Sequence, residues 1–220
     1  MESTDILQYH RIPVLRKAAP GGKRRWFRIR IEGGLGGHSD TDINKGHCSA
    51  VIPAWAVLTA IYNEYDFDLA FINVGDTDAS IASSAEIVLT IPSGEAAEFV
   101  KLQQDMMNQW LQEEYPNDPK ITCSIEKCDR LDTVISIEAF ESLMRCLEQT
   151  PQGVVTMSDS MKDTVETTNN VGRIAIEKDH ILVTTLTRSH IDCEAEALSH
   201  DIANVFKANG AESEIVSSAS

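Results

Sequence analysis

A histidine stands at the tip of a glycine-rich turn: Gly33-Gly34-Leu35-Gly36-Gly37 leads into His38-Ser39-Asp40. The glycines let the backbone present the ring, and no apolar neighbour covers it. An exposed imidazole can donate a hydrogen bond to a developing oxyanion. It cannot carry out hydrolysis alone. Nor do His38, Ser39 and Asp40 make a triad, because adjacent residues cannot place nucleophile, base and orienter in line.

Two other segments suggest zinc chemistry. His190-Ile191-Asp192 has the H-x-D form and Glu113-Glu114 is a paired carboxylate. A di-metal hydrolase needs both, plus a bridging Asp and a further His at compatible places. Glu113-Glu114 falls at a helix end beside Gln112 and Tyr115, a solvated position. Asp192 falls where a hairpin turns into a helix, which reads as an N-cap. The expectation is therefore no metal site within this chain.

Phosphate binding fails in detail. Gly34-Leu35-Gly36 would need a third glycine where Ser39 stands, and Lys45-Gly46 is in the wrong order for a Walker loop. The five cysteines (48, 123, 128, 146 and 193) are odd in number and irregularly spaced, so they do not form a disulfide framework. Cys123 and Cys128 sit five apart in a strand and point to opposite faces. None lies in a cationic, histidine-paired setting, so the thiols read as buried or incidental.

The elements that must hold these residues follow from periodicity. Leu7–Leu15 reads as a strand, placed at an edge because Pro13 interrupts it. After the Pro20–Lys23 turn, residues 26–32 alternate, with Phe27, Ile29 and Ile31 opposite Arg28, Arg30 and Glu32. The two strands read as a hairpin with one wet, charged face. Residues 46–64 read as a helix with a stripe of Val51, Trp55, Leu58 and Tyr62. Strands at 67–74 and 86–91 flank a polar loop at 76–84. Ser93-Gly94-Glu95 opens a helix to about 114 with Ser93 as its cap, and Pro116–Pro119 breaks it. A strand follows at 120–127.

The second half nearly repeats the order: a helix at 133–148, a short apolar run at 154–157, and strands at 171–177 and 181–188 joined by Lys178-Asp179. A helix at 192–208 and a last strand near 214–216 complete it. Strand, helix, strand, strand, helix, strand is the ferredoxin-like order. The expected fold is α+β: two such halves, about 1–130 and 131–220, in one extended, mostly antiparallel sheet with helices on one face. No long linker divides the chain, so 1–220 reads as one unit.

The chain has 220 residues and a net charge of −15, from 19 Lys+Arg against 34 Asp+Glu. This argues against nucleic acid as a main partner. The charge is uneven: residues 1–30 carry eight basic and two acidic residues, +6, leaving −21 for the rest. No apolar run approaches the roughly 18 residues of a membrane helix. Met1-Glu2-Ser3-Thr4-Asp5 is acidic where a signal peptide is basic, so no membrane partner and a cytoplasmic location are expected.

Gly33–Ser39, followed by Asp42-Ile43, resembles the lid-domain signature of the aminoacyl-histidine dipeptidases, cytosolic carnosinase-like di-zinc enzymes. Thr150-Pro151-Gln152-Gly153-Val154, Ser158-Asp159, Val165–Thr167 and Asn170-Val171-Gly172 form a second match; Arg188-Ser189 with Ile191-Asp192 forms a third. The three stretches occur in the family's order and cover nearly the whole chain. The resemblance implies a lid, or dimerisation, domain without activity by itself. The catalytic domain with both zinc ions and the general-base Glu would lie outside it. The implied partners are that domain, a second subunit in a homodimer, and a dipeptide substrate. His38 would steady the tetrahedral oxyanion, in many members that of the partner subunit's active site. Arg188 would bind the substrate carboxylate, for which a guanidinium fork is well shaped.

This chain departs from the family at 78–83. Asp78-Ala79-Ser80-Ile81-Ala82-Ser83 stands where an Arg-Asn-Ala-Ile-Pro-Arg stretch is usual, so Ala79 replaces the substrate-contacting Asn, and Ser49 stands where Asn is common. Two further readings stay open: a stand-alone ferredoxin-like ligand-binding or regulatory module using the glycine turn, and an independent hydrolase using His190, Asp192 and Glu113-Glu114. Self-association through an exposed strand edge or a helix face fits the first reading.

Overall fold

Alternation in β3 (Arg24–Glu32) buries Phe27, Ile29 and Ile31 and turns the arginines outward, as its sequence dictates. The computed structural model describes residues 3–94 and 96–219. The other elements are β1 (Thr4–Pro13), β2 (Arg16–Ala18), α1 (Val51–Glu64), β4 (Asp68–Val74), β5 (Ala85–Pro92), α2 (Ala96–Glu114) and β6 (Thr122–Lys127). They continue with β7 (Thr133–Ile135), α3 (Ile137–Gln149), β8 (Gly153–Met157), β9 (Val165–Ile176), β10 (His180–Ser189), α4 (Asp192–Ala208) and β11 (Glu212–Ala219). Of the residues assigned to the start of α2, Glu95 lies outside those described.

The main sheet runs β11-β1-β10-β9-β4-β5-β3-β6, with β8 also beside β9, and its neighbours are antiparallel. The fold is thus α+β with a large antiparallel sheet. Two ferredoxin-like units compose it, and one is nested in the other. β3-α1-β4-β5-α2-β6 forms the first unit. The second takes β1 as its opening strand and then α3, β9, β10, α4 and β11, so the first is inserted between β1 and α3.

Two expectations change here. β1 and β3 do not form a hairpin, because they belong to different units and pair with different strands. Nor is β1 an edge strand: it lies between β10 and β11, and Pro13 is tolerated as its last residue.

Half of the eight basic residues in the opening segment meet acidic partners along this sheet. On β3, Arg28 and Arg30 pair with Glu86 of β5, and Arg30 with Glu126 of β6. Arg24 reaches Asp66 and Asp68, and Arg11 reaches Glu214. At the far end, the outer edge of β6 is covered by amides of α2. Asn108 exchanges two bonds of 2.8 Å with the backbone of Cys123, and Gln104 accepts from the Ile125 amide at 2.8 Å.

Helix-side packing buries Phe27, Phe99, Phe140 and Phe206 with the aliphatic residues of the central strands. A smaller cluster of Ala19, Trp26, Ala70, Val88 and Val134 fills another part of the fold, with Val134 of the β2–β7 ribbon among its members. The α1 stripe is rotated from expectation. Val51 and Leu58 are buried, but Trp55 is half-buried and Tyr62 exposed, while Ala54, Val57 and Ile61 face inward. The cause is α3: Tyr62 donates to Glu141 at 2.7 Å and its ring lies 5.5 Å from that of Phe140. The structure also places Thr133–Ile135 in β7, ahead of α3.

Within the sheet the two units join at a narrow seam. β4 and β9 pair only through Asn73–Ala175 and Val74–Ile174. The chain then turns at Gly75, whose φ of +66° and close approach both demand glycine: a Cβ there would lie 2.1 Å from the Gly172 carbonyl oxygen. β9 skips Gly172 in its ladder with β10, a bulge that makes room for the crossing.

The second unit buries polar groups under α4. His10 is fully buried, stacks on Phe206 at 3.9 Å, and bonds Ser213 and Thr185 at 2.7 and 2.9 Å. Burial pushes its imidazole down to about 4 from 6.5. An unfolded chain therefore takes up this proton first, and stability present above pH 6.5 is lost as pH falls towards 4. The loss from this one group is about 3 kcal/mol. Urea unfolding between pH 7 and 4, with His10→Gln as a control that flattens the slope, measures it. Gly75→Ala should cost about 2–4 kcal/mol through left-handed strain and overpacking, read in the same assay.

Candidate functional site

Residues alternate across a strand, and along β10 Ile181, Val183 and Thr185 face the helices. Arg188 therefore faces the opposite side, as does Asp5 on β1. The loop that follows β3 and the loop that follows β4 meet there. Ser39 donates its amide and its hydroxyl to the Ala79 carbonyl at 3.1 and 2.7 Å, and Ile81 donates its amide to the Gly37 carbonyl at 2.8 Å. Arg188 donates Nη1 to the Ser39 hydroxyl at 3.1 Å and Nε to Asp5 at 2.8 Å. The loop carrying His38 is thus tied to Arg188 of the other unit through the neighbouring Ser39.

The His38 backbone is held at both ends. Its amide donates to Asp42 Oδ2 at 2.8 Å and its carbonyl accepts the Asp42 amide at 3.0 Å. Gly37 must be glycine, because its φ is +126° and a Cβ would lie 2.6 Å from that same Asp42 oxygen. Lys45, 2.5 Å from Asp42, and then the His38 amide hold the Asp42 carboxyl below its ordinary range. The ring itself is exposed. Its Nδ1 accepts from the Asp40 amide at 3.3 Å, which puts the ring proton on Nε2. The Nε2 N–H can then donate to an incoming anion. Arg188 differs in kind: its side chain is only 11% exposed, and two fixed partners restrict the fork to one orientation.

A small cleft beside them is lined by Asp40, Glu166, Thr168, Arg188 and His190. Roomier grooves lie against α1 and α3, around Trp55, Phe140 and Met144, and between the end of β1 and α3, and hold none of these polar groups. Among the described residues, no three His, Cys, Asp or Glu gather where they could hold a metal ion. Glu113 accepts from Gln109 at the end of α2. Asp192 is the first residue of α4 rather than its cap, which is Ile191; its carboxylate accepts from Thr4 at 2.5 Å. The donor set among the described residues therefore does not fit zinc. The cysteines are free, with Cys123 in the helix-side core and Cys128 against the smaller cluster.

The divergent loop has structural work. Asp78 accepts from the Tyr9 hydroxyl at 2.7 Å and thereby raises that phenol's pKa, while the Ser80 carbonyl accepts from Asn170 at 2.8 Å. Ser49 is buried, and its hydroxyl has no partner among the described residues. From the sequence Asp5 was missed, and Asp42 entered only as part of the first matching stretch, without a role. For Asp42 the four-residue spacing from His38 was a usable local signal; Asp5 lies 183 residues from Arg188 and gave none.

No family model matches the chain. Over 202 residues, 90% of this chain, it is 25% identical to the cytosol non-specific dipeptidase of Escherichia coli (strain K12), of which it covers 41%. The crystal structure of aminoacylhistidine dipeptidase from Vibrio alginolyticus superposes with a TM-score of 0.93 and 25% identity, covering 98% of this chain and 44% of that one. The resemblance carried by Gly33–Ser39 and the two later stretches is therefore met in sequence and in fold. The chain spans less than half the length of these two relatives.

Proposed function

We propose that this chain is the lid and dimerisation domain of a dipeptidase, in which His38 and Arg188 act on a dipeptide held in a separate catalytic domain. The bond from Arg188 to Ser39, which ties an oriented guanidinium to the loop bearing the exposed His38 ring, carries this reading. In it, His38 Nε2 donates to the oxyanion of the tetrahedral intermediate, where a fixed donor is worth most. Arg188 takes the substrate's terminal carboxylate. Two zinc ions and their ligands belong to the catalytic domain, and a homodimer lets the lid of one subunit serve the other. Residues Asp5 and Ala219 are paired neighbours, so both ends of the described chain leave side by side, which suits insertion into a second domain.

In the full dipeptidase, His38→Ala should lower kcat by about 100- to 1000-fold with KM little changed. Arg188→Ala should instead raise KM, by about 10- to 100-fold. Steady-state kinetics on dipeptides separates the two. The isolated chain should hold no stoichiometric zinc by elemental analysis and cleave no Xaa-His dipeptide; finding both would sink the proposal.

A further inference from the structure

The loop carrying His38 has little apolar anchorage at its first stem: the Leu35 side chain is 56% exposed. What points inward there is backbone. The Leu35 amide lies 3.1 Å from each carboxylate oxygen of Asp118, and the Cys48 amide lies 3.2 Å from Oδ2. Asp118 itself is completely buried. One carboxylate thus ties down the loop both before His38 and after it.

Asp118 is in turn fixed. Its amide donates to the Tyr115 carbonyl at 2.9 Å, and its carbonyl accepts the Ile121 amide at 3.2 Å, so the turn is welded to the end of α2 and the start of β6. Next to it, Asn117 donates to the Lys45 carbonyl at 3.4 Å. Burying a carboxylate costs several kcal/mol unless it is well bonded. An apolar residue of similar size would avoid that cost but leave two loop amides without acceptors. An acceptor-only group facing two backbone donors from both stems of one loop fits the task of fixing that loop.

We infer that Asp118 is a positioning residue for His38, holding the loop from below while Asp42 and Ala79 hold its tip. The consequence for catalysis rests on the role proposed above for His38; the consequence for loop order does not.

Asp118→Asn keeps the shape but replaces one acceptor by an N–H donor. In the isolated chain, hydrogen exchange should show the Leu35 and Cys48 amides losing protection by about 10-fold or more. Amide order parameters should fall across 35–47, while those of β3 and β5 stay as they were. In the full dipeptidase, kcat should fall by about 10- to 100-fold with KM within about twofold, the signature of a misplaced catalytic group. Unchanged protection, or an even loss across the whole sheet, overturns the inference. So does an unchanged kcat where His38→Ala lowers it. If His38→Ala is itself silent, the lid reading fails and exchange alone decides the role of Asp118. Should the variant not fold, the unmodified chain still tests it: fast exchange at Leu35 overturns the inference and slow exchange upholds it.

Discussion

His38 and Arg188 come from different βαββαβ units, so their geometry depends on how those units are joined. Within the sheet that joint is two residue pairs between β4 and β9, followed by a backbone crossing at Gly75 with no room for a methyl group, while α1 packs on α3 beside it. The crossing sends the 76–84 loop over the second unit, where its carbonyls receive Ser39 and Asn170. Contact through Ser39 closes the circuit from the first unit to Arg188. A shift of the seam would pass to the histidine loop and Arg188 through short links: the Ser39 amide and hydroxyl on the Ala79 carbonyl, and the Arg188 guanidinium on the Ser39 hydroxyl.

The two units solve burial differently. The first fills its interior with Phe27, Ile29, Ile31 and Phe99. Towards the open end of the second, the strands bury Thr167, Asn169, Thr187 and Ser189, bonded to one another and to Glu194. Such a polar interior is stable only when its members are satisfied, which makes it specific and intolerant of single losses. His10 belongs to this region, and its neutral ring is accommodated where a charged one is not.

Much of the element list was legible in the sequence, because alternation and helical spacing are local properties. β3, β5, β10 and α4 lie close to where the pattern places them. The nesting was not legible, since the alternation of β1 reads the same whichever strands flank it. Trp55 and Tyr62 misled for a related reason: they are apolar and correctly spaced, but they meet α3 rather than the sheet. At the site, His38 stood out through its glycines, whereas Arg188 entered only through the family resemblance. Ser39's bond to Arg188 spans 149 residues and Asp118's bond to Leu35 spans 83, and no window along the chain contains such pairs.

Nesting also imposes an order on self-organisation. Along this stretch β1 emerges before the first unit, yet its neighbours β10 and β11 emerge after it. During synthesis the first unit has all its strands once β6 has emerged, and it can close on itself. β1 must wait through that event with its backbone groups facing water, and with Pro13 and its charged neighbours as its main defence against pairing elsewhere. Contacts this distant in sequence are slow to form. The second unit, with Arg188 in place against the His38 loop, is therefore the late-maturing half of the molecule.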